Sequence, residues 1–294
     1  MLKRLALLLV IYLFFGINLS YGLDSRKLHE KADNLNLSDA LADAKAKPNS
    51  IDDWYLLGLV YLNLHKDKEA EESFNKVLIL DPKAIEAKWG VAEVLRRQHQ
   101  LKKSEELLSE VLKLNPDFPA ASITLAYIKY NQMDFNAAVR LANKVLGLGE
   151  KNVDRSNHVR AHLLYGGTKG MIAHYGGPLS KVINGTAVLP SLKAAERLQP
   201  ESAGVKFGLG SFYLLAPTLA GGDLERAEVY LKKAIEIDPL LADAYVRLGQ
   251  LYKVKGDNVR YNEYLNKALV IDLQNELALD IKNGKCKFIC LDSG

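Results

Sequence analysis

Histidines at helical spacing are the side chains of this sequence that come nearest to catalytic chemistry. His158 and His162 are four residues apart, so both imidazoles fall on one face of a helix, and His174 follows further along. Two such histidines could begin a zinc site, but no glutamate lies between them to complete the HExxH pattern of metalloproteases. We expect polar residues on a helix entrance, with no metal, no cofactor and no catalytic site. A metal-dependent hydrolase that uses these histidines or Asp223 is the weaker alternative.

The only two cysteines lie near the end of the sequence. Cys286 and Cys290 are separated by three residues. They could form a disulfide in an oxidising compartment, although a loop this short removes little entropy from the unfolded chain. Two free thiols on a tail are the alternative, and the sequence leaves both open. A metal site is disfavoured because no second cysteine pair or adjacent histidine completes four ligands.

A cluster of glycines interrupts a predicted helix that runs from His158 to Tyr175. Gly166, Gly167 and Gly170 each cost about 1 kcal/mol relative to alanine inside a helix. Together with Lys169 they resemble a phosphate loop in composition, but the GxxxxGK[ST] spacing is absent. The glycines therefore indicate either the close approach of a neighbouring helix or room for a ligand against bare backbone.

The elements that position these residues follow a period of 34. Pro48, Pro82 and Pro116 are each separated by this interval, and each closes a helix-like stretch. Between them the pattern W-x2-L-G-x2-Y, then A-x3-F, then P occurs at Trp54, Leu57, Gly58, Tyr61, Ala70, Phe74 and Pro82. The same phase returns at Tyr245, Leu248, Gly249 and Tyr252. This pattern resembles the tetratricopeptide repeat (TPR) family. The resemblance implies an all-α, right-handed superhelical solenoid of about six helix-turn-helix repeats with a C-terminal capping helix.

Counting in this register predicts the organisation of the whole chain. The predicted parts are a signal peptide at 1–22, an N-terminal helical pair at 23–50, three regular units at 51–152, two units with insertions between their helices at 153–241, the last unit with its capping helix at 242–284, and a tail at 285–294.

The two insertions are the largest departures from the repeat. Residues 176–190 and 216–223 each join the first helix of a unit to its own second helix, so they emerge along the same edge of the array. Long loops in a compact repeat array are often functional, and these two could form a lid or rim. Asp223 should also cap the helix that follows it. The possible ligand rim comprises Gly166, Gly167, Lys169, Gly170, Pro217, Gly221, Gly222 and Asp223.

The TPR resemblance also implies which residues face a partner. In this family the first helix of each unit builds the concave surface. Carried over by register, the partner-binding residues of the first three units are Tyr55, Leu59, Asn63, Trp89, Glu93, Arg96, Arg97, Tyr127, Tyr130 and Asn131. Phe207, Ser211 and Leu214 continue this surface in the fifth unit. The mixture of aromatic and charged residues suits a protein or peptide. The dicarboxylate clamp of chaperone-binding members is not matched, because Tyr55 and Leu59 stand where its Lys and Asn would be.

A second resemblance concerns the kind of partner. Residues 203–236 are similar to a segment of the TRAP-transporter-associated TPR proteins, on Pro217, Gly221, Gly222, Asp223 and Ala227. This likeness implies a solute-binding or membrane-complex protein as partner. The predicted function is a non-catalytic scaffold that binds a protein or peptide on its concave face. The alternative is a periplasmic carrier of an apolar small molecule, or a transporter-associated accessory protein.

The first residues predict export. Lys3 and Arg4 precede an apolar run from Leu5 to Leu19, and small residues stand at Ser20 and Gly22. This is typical of a secretory signal peptide cleaved after Gly22. We expect a bacterial periplasmic or secreted protein; an uncleaved membrane anchor at 5–19 is the alternative. The net charge of +4 is too small for an electrostatic nucleic-acid footprint.

Overall fold

The computed structural model describes residues 23–291, which form sixteen α-helices, one short 3-10 helix and no β-strand. The predicted signal peptide lies outside the described residues. Among the helices of residues 23–291, none is both long and apolar enough to cross a membrane.

The helices pack as consecutive antiparallel pairs. In chain order they are α1 (Ser25–Ala32), α2 (Leu37–Ala46), α3 (Ile51–Asn63), α4 (Asp67–Leu80), α5 (Ile85–Arg97), α6 (Leu101–Leu114), α7 (Pro119–Asn131), α8 (Phe135–Leu148), α9 (Arg155–Tyr175), α10 (Pro178–Gly185), α11 (Val188–Leu198), α12 (Ala203–Leu215), α13 (Leu224–Ile237), α14 (Ala242–Val254), α15 (Asn258–Ile271) and α16 (Glu276–Lys282). Each pair packs on the next. The predicted all-α solenoid is confirmed.

Local signals explain where the helices begin and end. Ser50, Asp154 and Asp223 precede α3, α9 and α13, and each accepts hydrogen bonds from the first-turn amides that have no partner inside the helix. The third unit has Glu150 where other units have proline. There α8 instead stops before Gly149, whose φ of +77° is unfavourable for other residues.

Small residues fix the crossing between the first two regular units. The Phe74 ring is fully buried between Gly58 and Gly90. A Cβ atom added at either glycine would lie 2.5–2.6 Å from the ring carbons of Phe74. These glycines are therefore required by close packing, as the sequence pattern indicates.

The irregular region differs from the expectation in two ways. The insertion at 176–190 contains a helix, α10, and α9 before it has 21 residues, longer than any helix of the regular units. The second insertion is a tight turn that contains the 3-10 helix at Thr218–Ala220.

Residues 285–291 of the predicted tail also adopt a defined structure. Cys286 and Cys290 form a disulfide, so the alternative of two free thiols is wrong in this structure. The loop that they close packs back on the last helices.

Candidate functional site

A large cavity lies inside the superhelix formed by residues 23–291. Its volume is about 1720 Å³, and its walls are the first helices of successive units, α3, α5, α7, α9, α12 and α14, with α11 completing one side. We call this cavity the chamber. Its lining divides into a polar wall on α5 and α7 and an apolar wall on α9, α11 and α12.

The polar wall is centred on a buried carboxylate. Glu93 is only 6% exposed and accepts two hydrogen bonds from Arg96, at 2.9 and 3.0 Å. Arg160 approaches it at 3.3 Å, and the Thr124 hydroxyl donates to it at 2.8 Å. Trp89 in turn donates its indole N–H to the oxygen of Thr124 at 3.0 Å. The carboxylate is thus bound by two cations and a hydroxyl, so its negative charge is paired within the protein.

The pKa of Glu93 reflects these contacts. Burial raises this pKa, but the charges of Arg96 and Arg160 and the hydrogen bonds lower it by more, to about 2. Glu93 is therefore ionised at neutral pH and is not suited to donate or accept a proton there. Next to it, the guanidinium of Arg96 lies 4.4 Å from the centre of the Tyr127 ring, a cation–π contact.

The apolar wall follows one stripe of α9. Leu163, Gly167, Gly170 and Met171 line the chamber and fall on one face of the helix. A Cβ atom added at Gly167 would have no atom within 4 Å, so the chamber reaches the backbone of α9 there. α11 and α12 complete this wall with apolar side chains, Val188, Leu189, Leu192, Phe207, Phe212 and Leu215.

The three glycines of α9 have different surroundings. A Cβ atom at Gly166 would lie 3.2 Å from Ser191 and 3.3 Å from the Val188 carbonyl oxygen, so this glycine serves the packing of α9 on α11. Gly167 faces open space and Gly170 has only ordinary contact with Val188. The packing interpretation therefore holds at Gly166, whereas a ligand beside the uncovered backbone of Gly167 stays a prediction.

Most of the predicted partner-binding residues line the chamber. They are Leu59, Asn63, Trp89, Glu93, Arg96, Arg97, Tyr127, Tyr130, Asn131, Phe207 and Ser211. Tyr55 does not: it is fully buried in the core and hydrogen-bonds the His29 ring at 2.9 Å. Leu214 is also a core residue. Trp89, although it touches the chamber, is 2% exposed and mainly structural.

The predicted rim residues separate into two groups. Gly167, Gly170 and Pro217 line the chamber. The others have structural roles: Gly166 packs on α11, Lys169 donates to the Asn184 side chain at 2.9 Å, Gly221 takes a φ of +99°, Gly222 would collide with the Ala216 carbonyl if it carried a Cβ, and Asp223 caps α13.

The histidine pair lies outside the chamber lining. The rings of His158 and His162 are 5.0 Å apart. Burial, and then the charge of its neighbour, lower the pKa of His162. Within residues 23–291, no three His, Cys, Asp or Glu side chains are grouped so that they could hold a metal ion.

Contacts between opposite edges of the superhelix were missed by the sequence analysis. His65 Nε2 lies 3.0 Å from Asp238 Oδ2, and His99 Nε2 lies 3.1 Å from Asp272 Oδ1. In each pair the histidine and the aspartate are 173 residues apart in sequence. A third contact stacks the Phe288 ring on Tyr130, with centroids 5.7 Å apart. We call these three contacts the seam, formed by His65–Asp238, His99–Asp272 and Tyr130–Phe288.

Sequence did contain a signal for the seam. The two histidines are one period apart, and so are the two aspartates that they meet. Repeat spacing alone does not reveal that units one and two contact units five and six, because that depends on how far the superhelix turns per unit.

Comparison with protein families supports the repeat assignment. Residues 34–156 match the model of the cytochrome c-type biogenesis protein H TPR domain, and residues 219–239 match a tetratricopeptide repeat model. The chain is a TPR protein. No curated protein matches this TPR protein over its sequence.

A solved structure with a TM-score above 0.5 supports the fold, and two others are similar at lower scores. A structure of the APC/C hetero-tetramer Cut9–Hcn1 is similar to this TPR protein with a TM-score of 0.58 and 17% identity, over 96% of this chain and 52% of that one. PilF of Pseudomonas aeruginosa gives a TM-score of 0.48 and 14% identity, over 81% of this chain and 99% of that one. A TPR protein from Parabacteroides merdae gives a TM-score of 0.49 and 17% identity, over 87% of this chain and 95% of that one.

Proposed function

We propose that this TPR protein is an exported, non-catalytic scaffold that holds a segment of a partner protein inside the chamber. The fold is that of protein-interaction scaffolds, and the segment 1–22 supports export. The partner class that the sequence favours is a solute-binding or membrane-complex protein. The similarity of residues 34–156 to a domain of a biogenesis protein supports a partner among assembly factors.

The size and lining of the chamber carry this proposal. At about 1720 Å³ it exceeds the roughly 300–1,000 Å³ of ordinary small-molecule sites. Its polar wall presents Tyr127, Tyr130 and Arg96, residue types that are enriched where proteins bind each other. Its apolar wall offers space for hydrophobic side chains beside Gly167. A polypeptide segment with one polar and one apolar side matches both walls.

The test uses two glycines that differ only in where they face. Gly167 and Gly147 both lie in helices, and a Cβ at either has no atom within 4 Å, but Gly147 is not part of the chamber lining. We expect Gly167→Phe to abolish capture of the partner, identified by crosslinking in intact cells and mass spectrometry, and Gly147→Phe to retain it. Equal capture by the two variants would contradict binding in the chamber.

A small apolar ligand is the second candidate for the same space. The observation that favours it is the bare backbone at Gly167 flanked by Leu163, Met171 and Phe207, because an apolar wall with few polar partners suits a hydrocarbon. Native mass spectrometry of the purified protein tests it. A bound small molecule that is absent from Gly167→Phe and present in Gly147→Phe supports a carrier; a ligand-free spectrum for all three proteins argues against it.

A further inference from the structure

The two seam histidines occupy a backbone conformation that normally favours glycine. His65 and His99 follow α3 and α5 with φ of 56° and 59°. In the last unit the equivalent turn contains Gly256, with φ of 79°. A left-handed conformation at a residue with a side chain is uncommon and costs energy. The equivalent Met133 of the third unit has it too, with φ of 64°, so the turn itself imposes this conformation and it is the choice of histidine at two of the three positions that asks for a reason.

The side chains supply that reason. Each histidine reaches across the interior of the superhelix to an aspartate of a distant unit, which glycine could not do. Arg97 donates to Nδ1 of His65 at 2.9 Å, so the other ring nitrogen carries the hydrogen that is donated to Asp238. Burial raises the pKa of Asp238, but the hydrogen bond from His65 and nearby charges lower it below its usual range, which keeps the acceptor ionised.

We propose that the seam is a latch, in which the two histidine–aspartate pairs separate to admit the partner segment into the chamber while the Phe288 end stays closed. The inference rests on the proposed function, since it describes how the chamber is entered. His65, His99, Asp238 and Asp272 all line the chamber, so their separation opens its side.

The histidine end is suited to open. The side chains of His65 and Asp238 are 34% and 25% exposed, and those of His99 and Asp272 are 22% and 32% exposed. Ion pairs with this access to water contribute little to stability, because water replaces the partners when the pair separates. Two weak contacts can therefore hold the edges together without preventing opening.

The Phe288 end is held by several bonds that do not depend on the opposite edge. The disulfide between Cys286 and Cys290 closes the loop that carries Phe288. The carboxylate of Asp280 accepts hydrogen bonds from the amides of Lys287 and Phe288. Arg247, buried in α14, donates to the carbonyl oxygen of Phe288 at 2.9 Å. These bonds fix Phe288 on its own edge. Across the seam, Lys287 Nζ donates to the Asn131 carbonyl oxygen of α7, and the Tyr175 hydroxyl of α9 donates to the Lys287 carbonyl oxygen at 2.8 Å, so hydrogen bonds to the backbone hold this end closed beside the Tyr130–Phe288 contact.

The latch can be measured without knowing the partner. Spin labels on cysteines at the exposed positions Lys68 and Glu236 report the distance across the histidine end, and labels at Gln132 and Lys285 report the Phe288 end. We expect one narrow distance distribution for each pair in the parent protein. In a variant with His65→Asn and His99→Asn, we expect the first distribution to lengthen and broaden and the second to stay unchanged.

Asparagine is chosen because it tolerates left-handed backbone and is too short to reach the aspartates. Met133, with φ of 64° in the equivalent turn of the third unit, provides the control: Met133→Asn should leave both distributions unchanged. Circular dichroism checks that all variants fold. Identical distributions in the double histidine variant and the parent would overturn the latch, and so would equal broadening in the Met133 variant.

A crosslinking experiment tests whether the latch is the entrance. A bismaleimide that joins the cysteines at Lys68 and Glu236 should block partner capture, while the same protein without the crosslinker captures normally. Capture by the crosslinked protein would exclude the seam as entrance. If neither form captures a partner, the proposed function fails, whereas the distance measurements still decide whether the seam opens.

Discussion

The two walls of the chamber are built on different principles. The polar wall comes from the regular units, where Glu93 has hydrogen-bonding partners on α5, α7 and α9. The apolar wall comes from the irregular units, where Gly167 leaves the backbone of α9 uncovered and apolar side chains of α11 and α12 line the chamber. The regular repeats therefore supply a hydrogen-bonded wall, whereas the departures from the repeat supply open space in the chamber.

Removing the charge at the centre of the polar wall should have the largest effect. Glu93→Gln keeps the shape but leaves Arg96 and Arg160 without their carboxylate, and breaking a buried pair costs about 3–5 kcal/mol of unfolding free energy. Urea denaturation measures this loss.

The matched control is Glu228→Gln. Hydrogen bonds from Lys232 and Lys255 lower the pKa of Glu228 to about 2 as well, but its side chain is 17% exposed, against 7% for Glu93. We expect a smaller loss there, because water reaches this carboxylate and its lysines. Equal losses in the two variants would mean that the polar wall is not specially rigid.

The unfolding free energy should also depend on Glu93 at acid pH. The pKa of Glu93 falls from 4.5 in a model peptide to about 2 in the folded protein, so its stabilisation is complete above pH 4.5 and is lost as the pH drops toward 2. This shift corresponds to about 3 kcal/mol. Unfolding free energies of the parent protein and Glu93→Gln should therefore converge over this interval. A difference that stays constant with pH would contradict the assignment.

A methyl group added in the regular units should cost less but still destabilise. In Gly90→Ala the new Cβ would lie 2.6 Å from the Phe74 ring, which is buried on all sides and cannot retreat. Overpacking of this kind costs about 1–3 kcal/mol, more than the helix propensity of alanine returns. The measurement is the denaturant midpoint, and an unchanged or higher midpoint would show that the helices crossing at Phe74 can separate.

The sequence predicted the regular wall better than the irregular one, for physical reasons. A repeat fixes the phase of every helix, so the inward direction of Glu93 and Tyr127 could be read from spacing. The repeat spacing could not show that Tyr55 is buried away from the chamber, because that depends on α1, which supplies His29 as its hydrogen-bond partner. Nor could it predict α10 or the seam, since both depend on distances between units that are far apart in sequence.

The smallest expected effect, and the one opposite in sign, belongs to the apolar wall. In Gly167→Ala the new methyl group meets no atom within 4 Å, and alanine favours a helix over glycine by about 1 kcal/mol. We therefore expect this substitution to stabilise the protein by up to about 1 kcal/mol, whereas Gly90→Ala destabilises it. Thermal unfolding of the two variants side by side gives the comparison. Destabilisation by Gly167→Ala would mean that α11 or α12 closes over α9 in solution and that the space beside it is filled, because only an unseen neighbour could make a single methyl group unfavourable there.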